Sequence, residues 1–451
     1  MMHVQTGSQP PASAATLEVR TMRRITWRLI PFLMICYFVA YLDRVNISFA
    51  ALQMNKDLGL SASAYGLGAG LFFVTYCLFE VPSNLLLYRV GATRWIARIM
   101  LTWGLCAGAM AFVTGPLSYY AVRLLFGAAE AGFYPGMLFF LTLWFPAAYR
   151  GRILGLALAA IPISGIIGSP LSGFLLTLDG MMGLRGWQWL FLIEGLPAIL
   201  LAPVVLLVLK DGPAHAAWLP PAERAWLVDQ LESEARTIET HKSYSVRQAL
   251  TDPWLLFLAV VYFSNVCLLN GVQFFLPQIV KNFGLTDMQT GFVVAGPSLL
   301  ALVTLIWYGR RSDARQERYG HAAVANMIAS AALLSAMLIN DPAGRMMLIA
   351  VAWAFTISFS PVFWSIPSTF LSRGAAAGGI AAISGLGVTG GVVAPWLVGH
   401  TRDLTGDFRF GLGGIAIFAL LVAIPFFVLG RRRQARDRQI SPRPTIRTPA
   451  L

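Results

Sequence analysis

Charge is what this 451-residue sequence has least of. Only 12% of its residues are Asp, Glu, Lys or Arg, against roughly 25% in a soluble domain, and that scarcity excludes an ordinary water-soluble enzyme. Cysteine is scarce too: Cys36, Cys77, Cys106 and Cys267 lie inside apolar runs at irregular spacing, which gives neither a disulfide framework nor a metal-ligand pattern. His3, His215, His241, His321 and His400 show no metal-ligand spacing, and no glycine-rich phosphate loop stands outside the apolar segments. No cofactor or metal is expected. Residues 1 to 20 lack the short apolar core and cleavage site of a removable signal peptide. The net charge of +13 raises the question of nucleic acid. The basic residues, however, come in short groups between apolar runs and not in one stripe interleaved with aromatics, so no nucleic-acid partner is expected.

Long apolar runs are what the chain does have, with 57% hydrophobic residues, 29 Phe and 13 Trp. A helix crossing a hydrocarbon core of ~30 Å needs about 20 apolar residues. By that rule spans are expected near residues 29 to 50, 65 to 87, 95 to 114, 117 to 145, 151 to 178 and 187 to 209, then near 253 to 280, 288 to 308, 321 to 340, 344 to 371, 375 to 401 and 410 to 430. The expected fold is an all-α membrane protein of twelve transmembrane helices in two six-helix halves. An even number of spans puts both termini on one side. If that side is the cytoplasm, the inner segments hold 26 of the 34 Lys and Arg and the outer loops six, as the positive-inside rule requires.

The expected organisation is a flexible cytoplasmic N-terminus (1 to 22), a first half (23 to 209), a cytoplasmic linker (210 to 252), a second half (253 to 430) and a basic cytoplasmic tail (431 to 451). Within the linker, Pro220 and Pro221 open an amphipathic stretch, AERAWLVDQLESEA, with Trp226, Leu227 and Leu231 at helical spacing. It reads as a connecting helix with some interfacial packing.

Six charges fall inside the expected spans: Asp43, Arg44, Glu80, Arg123, Glu130 and Glu194. Each costs about 2.5 to 3.5 kcal/mol at a helix centre and so needs a partner, water or a function. Glu80 and Glu194 lie near span ends and read as structural. Arg44 and Arg123 each lie about six residues, ~9 Å, below the outer end of spans 1 and 4, so they are expected at one depth. Glu130 follows Arg123 by two turns on much the same face, while Asp43 points about 100° away from Arg44. Two guanidiniums at one depth repel unless an anion lies between them, and their forked geometry suits a carboxylate or phosphate. The second half offers only neutral groups at matching depth, among them Asn265, Asn270, Gln273, Ser360, Ser365 and Ser384. The expected site is therefore asymmetric. Glycines and prolines cluster in span 5 (Gly165, Gly168, Pro170, Gly173) and span 11 (Gly385, Gly387, Gly390, Gly391, Pro395), where small residues permit close helix approach.

The stretches YLDRVNISFA (41 to 50), MNKDLGLS (54 to 61), FEVPSNLLL (79 to 87), RWIARIMLTWG (94 to 104), AEAGFYPG (129 to 136), WFPAAYRGR (144 to 152), WQWLFLIEGLPA (187 to 198) and FLPQIVK (275 to 281) carry a resemblance. The chain resembles the major facilitator superfamily, and within it the anion:cation symporter family of bacterial organic-acid permeases, with the tartrate-type permeases closest in look. The resemblance implies that Arg44 and Arg123 bind an organic anion, that Asp43 and Glu130 handle the coupling proton, and that Tyr76 faces the substrate. Asn270, Gln273 and Ser384 are the expected contributions of the second half. Where relatives carry polar groups this chain has Ser384, Val388 and Ile161, which favours a smaller or less polar carboxylate over a sugar acid. The resemblance thus implies a monomeric, proton-coupled importer in the bacterial inner membrane, taking a small carboxylate such as tartrate. An exporter or exchanger, or a permease for aromatic carboxylates such as phthalate, stays open beside it.

Overall fold

The computed structural model describes residues 12 to 238, 251 to 315, 317 to 367 and 373 to 440. Twelve helices in it are long and apolar enough to cross a membrane. In chain order these spans are Thr16–Asp57, Ala62–Val90, Ala92–Phe112, Pro116–Trp144, Ala147–Leu178 and Gly186–Val208, then Pro253–Lys281, Asp287–Ser312, Tyr319–Leu338, Pro342–Trp364, Ala382–Thr405 and Arg409–Arg433. Six precede the linker and six follow it. The start of span 1, the end of span 12 and the linker helix therefore lie at one end of the bundle, here called the terminal end.

Helix starts follow from local chemistry. Asp252 accepts from the Trp254 and Leu255 amides ahead of span 7, and Asp341 accepts from Gly344 ahead of span 10. Pro253 and Pro342 then occupy first-turn positions whose N–H groups would lack a partner anyway. Span 4 is broken: helix Pro116–Glu130 ends, Gly132 takes φ 92°, and helix Phe133–Trp144 begins. A side chain at Gly132 would also strike Ser83, so this break holds Glu130 at a helix end against span 2.

Three boundaries differ from the sequence expectation. The first helix begins at Ala12, and Thr21, Met22 and Ile25 on it are buried. Span 10 ends at Trp364, ahead of Pro367, and not at 371. The last helix runs on to Ile440. The linker helix Pro221–Ile238 docks on the first half. Glu223, 1% exposed, accepts from Arg20 at 3.0 Å and Arg24 at 3.3 Å, and Trp218 stacks on Trp144 at 5.6 Å. The expected tail from residue 441 and the linker from 239 to 250 lie outside the described residues.

The halves meet closely at the end opposite the termini. A side chain at Gly66 of span 2 would run into the Pro395 carbonyl of span 11, and one at Gly399 of span 11 into the Ala62 carbonyl. Spans 5 and 8 approach as closely, Gly173 against Asp287 and Gly291 against Ser169. Asp403 accepts from the backbone N–H groups of Ala62 and Ser63 at 3.0 and 2.8 Å. Gln53 donates to Asp287 across the same seam at 3.0 Å. Backbone at contact leaves no room for a passage there.

Candidate functional site

Span 1 brings Arg44 against span 4. Its Nε donates to Glu130 Oε1 at 2.7 Å, and Nη2 donates to the same oxygen. Glu130 is fully buried and its second oxygen has no partner. Arg44 keeps 22% of its side chain exposed. That exposed part, with the rings about it, marks the candidate cleft. Aromatic rings line the arginine: its Cζ lies 5.2 Å from the Tyr76 centroid, 5.6 Å from Phe72 and 5.8 Å from Tyr41. Rings at that distance attract a cation by their quadrupole.

Arg123, 2% exposed, turns its fork differently. Nε and Nη2 donate to the Gly68 and Ala69 carbonyls of span 2, both at 3.3 Å, and its Cζ lies 4.9 Å from Phe72. Both guanidiniums therefore lie near one phenylalanine ring, Arg44 at 5.6 Å and Arg123 at 4.9 Å from its centroid. Glu130 holds the fork of Arg44, and the Gly68 and Ala69 carbonyls hold that of Arg123. Phe72 was missed by the sequence reading. Its signal was there: it lies four residues before Tyr76, on the same helix face.

Asp43 is separated from this group. Fully buried, it accepts from the Trp103 indole at 2.8 Å and from Asn46 at 3.4 Å, facing span 3. Among the described residues Glu130 is the one carboxylate in ion-pair contact with these arginines, and Glu80 of span 2 lies further off on the same side. Glu194, read as structural from its place along span 6, is 1% exposed and accepts from Ser172 of span 5 at 2.7 Å.

The neutral residues of the second half also divide. Gln273 lines a cavity between the halves with Tyr41, Ser164, Ser298 and Trp353. Asn270 donates to the Val266 carbonyl of its own helix at 2.9 Å. Asn265 donates to Asn326 and to the Thr356 carbonyl at 3.5 and 3.3 Å, inside the second half and away from the cleft. Ser384 is half-buried on the helix that precedes the Gly390–Thr405 segment. Among the described residues no group of three or more His, Cys, Asp or Glu is placed to hold a metal, and all four cysteines are free.

Comparison with known proteins adds the family. The chain is 47% identical over 421 residues to a protein of Agrobacterium vitis named "Putative tartrate transporter", covering 92% of each. It is 39% identical over 423 residues to the quinolone resistance transporter of Acinetobacter baumannii, covering 94% of this chain and 98% of that one. Among solved structures, an inward-facing bacterial homolog of the human lysosomal transporter Spinster superposes with a TM-score of 0.73 at 16% identity, over 96% of this chain and 99% of that one. The xylose transporter XylE from E. coli, partially occluded and inward open, follows at 0.71 and 13%, over 90% and 97%. Residues 33 to 395 match the family model described as Major Facilitator Superfamily. With twelve spans in two sets of six and transporters as its relatives, the chain belongs to the Major Facilitator Superfamily and is a membrane transporter.

Proposed function

We propose that the protein is a proton-coupled importer of a small organic dianion of the tartrate type, acting as a monomer, with its terminal end in the cytoplasm of a bacterial inner membrane. One observation carries this reading: Arg44 is held by Glu130 beside Arg123. With Glu130 ionised, the two guanidiniums outnumber by one the carboxylate that touches them. A dianion entering the cleft would leave one negative charge in a water-poor site, and a proton on Glu130 removes that charge. The same proton loosens Glu130 from Arg44 and frees the fork for a carboxylate. Substrate and proton therefore favour each other's binding, which is the thermodynamic requirement for symport.

Orientation rests on the 26 to 6 distribution of Lys and Arg, and the dianion on relatives named for tartrate. The test uses Glu130→Gln in proteoliposomes. Glutamine imitates the protonated acid, so the variant is expected to keep tartrate counterflow but to lose accumulation driven by a pH gradient. Gradient-driven accumulation at the wild-type level would exclude Glu130 as the coupling residue.

A second reading is favoured by the rings of Tyr41, Phe72 and Tyr76 about Arg44. They suit an aromatic carboxylate, and competition of phthalate against labelled tartrate decides between the two.

A further inference from the structure

Beyond the rings about Arg44, spans 1, 5, 7, 8 and 10 enclose a cavity that the charge argument does not use. Tyr41 joins the two: its ring centroid lies 5.8 Å from Arg44 Cζ, and the same side chain lines the cavity. Ser48, Ser164 and Ser169 reach the cavity from the first half and Gln273 and Ser298 from the second, with apolar side chains such as Val294 and Ile357 between them. The two sides are in contact, since a methyl group at Gly165 of span 5 would lie 2.2 Å from Ser298 Oγ. None of the lining residues is charged. Apolar walls with a few converging polar groups are the usual make-up of a small-molecule pocket.

The five polar side chains are each at most 8% exposed, and they are not satisfied alike. Ser48 donates to the Val45 carbonyl at 2.6 Å and Ser164 to the Ile161 carbonyl at 2.7 Å, so each has placed its hydrogen and offers only lone pairs. The side chains of Gln273, Ser169 and Ser298 have no hydrogen-bond partner among the described residues, and each offers both donor and acceptor. Buried polar groups in that state cost free energy that a ligand with matching groups recovers. The matching group must both donate and accept. A carboxylate only accepts, and it would bring a charge against serine lone pairs in a lining that has no cation. An ammonium only donates. A hydroxyl does both and is neutral.

We propose that this cavity is a hydroxyl-recognition subsite, so that the protein selects hydroxy acids over acids of equal charge that lack hydroxyls. The proposal rests on the reading of Arg44 and Arg123 as an anion site. Carboxylates stay with the guanidiniums, and the carbon chain passes Tyr41 to set its hydroxyls against Gln273, Ser169 and Ser298. Ser169 belongs to the first half and the other two to the second, so hydroxyls held there engage both halves at once.

The test needs no gradient. Thermal-shift titrations on the purified protein compare acids matched in charge and chain length: tartrate, malate and succinate, with two, one and no hydroxyls, and beside them glycerate and propionate. Each hydroxyl removed is expected to weaken binding about tenfold, because buried polar groups are left unpaired. Gln273→Leu and Ser298→Ala are expected to weaken tartrate roughly two- to tenfold and to leave succinate within about twofold, and the unchanged succinate affinity also reports an intact fold. Succinate bound as tightly as tartrate by the wild type overturns the subsite, as does an equal loss for both acids in the two variants. If only the three-carbon pair binds, the dianion reading fails and the subsite is decided on glycerate against propionate by the same criteria. No response to any hydroxy acid overturns both the subsite and the tartrate-type reading. Failure of pH-driven uptake refutes proton coupling and leaves the titration result standing.

Discussion

The two halves of this bundle share an outline and differ in chemistry. Inside the first half lie Asp43, Arg44, Arg123, Glu130 and Glu194, all but Arg44 fully or almost fully buried. The corresponding interior of the second half is neutral, built on Asn265, Asn326, Ser264 and Ser330 bonded among themselves and to backbone. A buried charge is tolerated only where a partner or a purpose meets it. Concentrating charge in one half lets the other move as a neutral wall, with no ion pair to break across the cleft at each turnover. At the closed end the halves touch through glycine and backbone, joined by the hydrogen bonds of Asp403 and of Gln53 with Asp287.

The sharpest way to break this comparison is to change charge geometry in the first half. Arg123→Lys keeps the positive charge but loses the planar fork, and one ammonium cannot reproduce two directed N–H groups toward carbonyls and substrate. Tartrate binding, measured by thermal shift or equilibrium binding on purified protein, is expected to weaken tenfold or more, and Arg44→Lys to do the same. Wild-type affinity in Arg123→Lys would return that residue to a purely structural role. It would also move the weight of anion binding to Arg44 alone.

The second half should respond less. Gln273 faces the cavity between the halves as a neutral hydrogen-bonding group, and a net hydrogen bond of this kind contributes about 0.5 to 1.5 kcal/mol. Gln273→Leu is therefore expected to raise the KM for tartrate roughly two- to tenfold at nearly unchanged maximal rate, with proton stoichiometry unaltered. A loss as large as that of Arg123→Lys would show that the halves share the binding energy evenly. The asymmetry would then be one of charge only.

Much of this was legible in the sequence because hydropathy and basic-residue counts act over whole spans. Twelve spans, the six-plus-six division and the asymmetric placement of charge all came from such sums. What stayed hidden depends on which way a side chain turns. Backbone rise gives the depth of Arg44 and Arg123 along their helices but not their partners, which are Glu130 for one and the Gly68 and Ala69 carbonyls for the other. Glu194 was read from its distance along span 6, and no such distance reveals that Ser172 and Asn46 wait on the facing helices. Rotational phase about a helix is set by tertiary packing, which a single apolar stretch does not encode when lipid and protein neighbours are equally apolar.

The smallest expected effect tests a place where the second half reaches the first with a charge. Asp403, at the end of span 11, accepts from the Ala62 and Ser63 amides and from the Ser63 hydroxyl, capping the first turn of span 2. A carboxylate at a helix N-terminus contributes about 0.3 to 1 kcal/mol when exposed, and a cap about 1 kcal/mol. Asp403 is exposed, so solvent screening places it toward the low end of that range. The contact exists only while the opposite end is closed, so its free energy favours the closed state directly. Asp403→Asn retains one acceptor and loses the charge. The ratio of closed to open opposite ends is expected to fall about two- to fivefold, more at low salt than at high, because an exposed charge is screened within ~10 Å at 0.1 M. Distances between spin labels on the ends of spans 2 and 11 read that ratio. An unchanged distribution in Asp403→Asn at low salt would mean that this end stays shut without the Asp403 charge, and that this carboxylate takes no part in the gating of the first half.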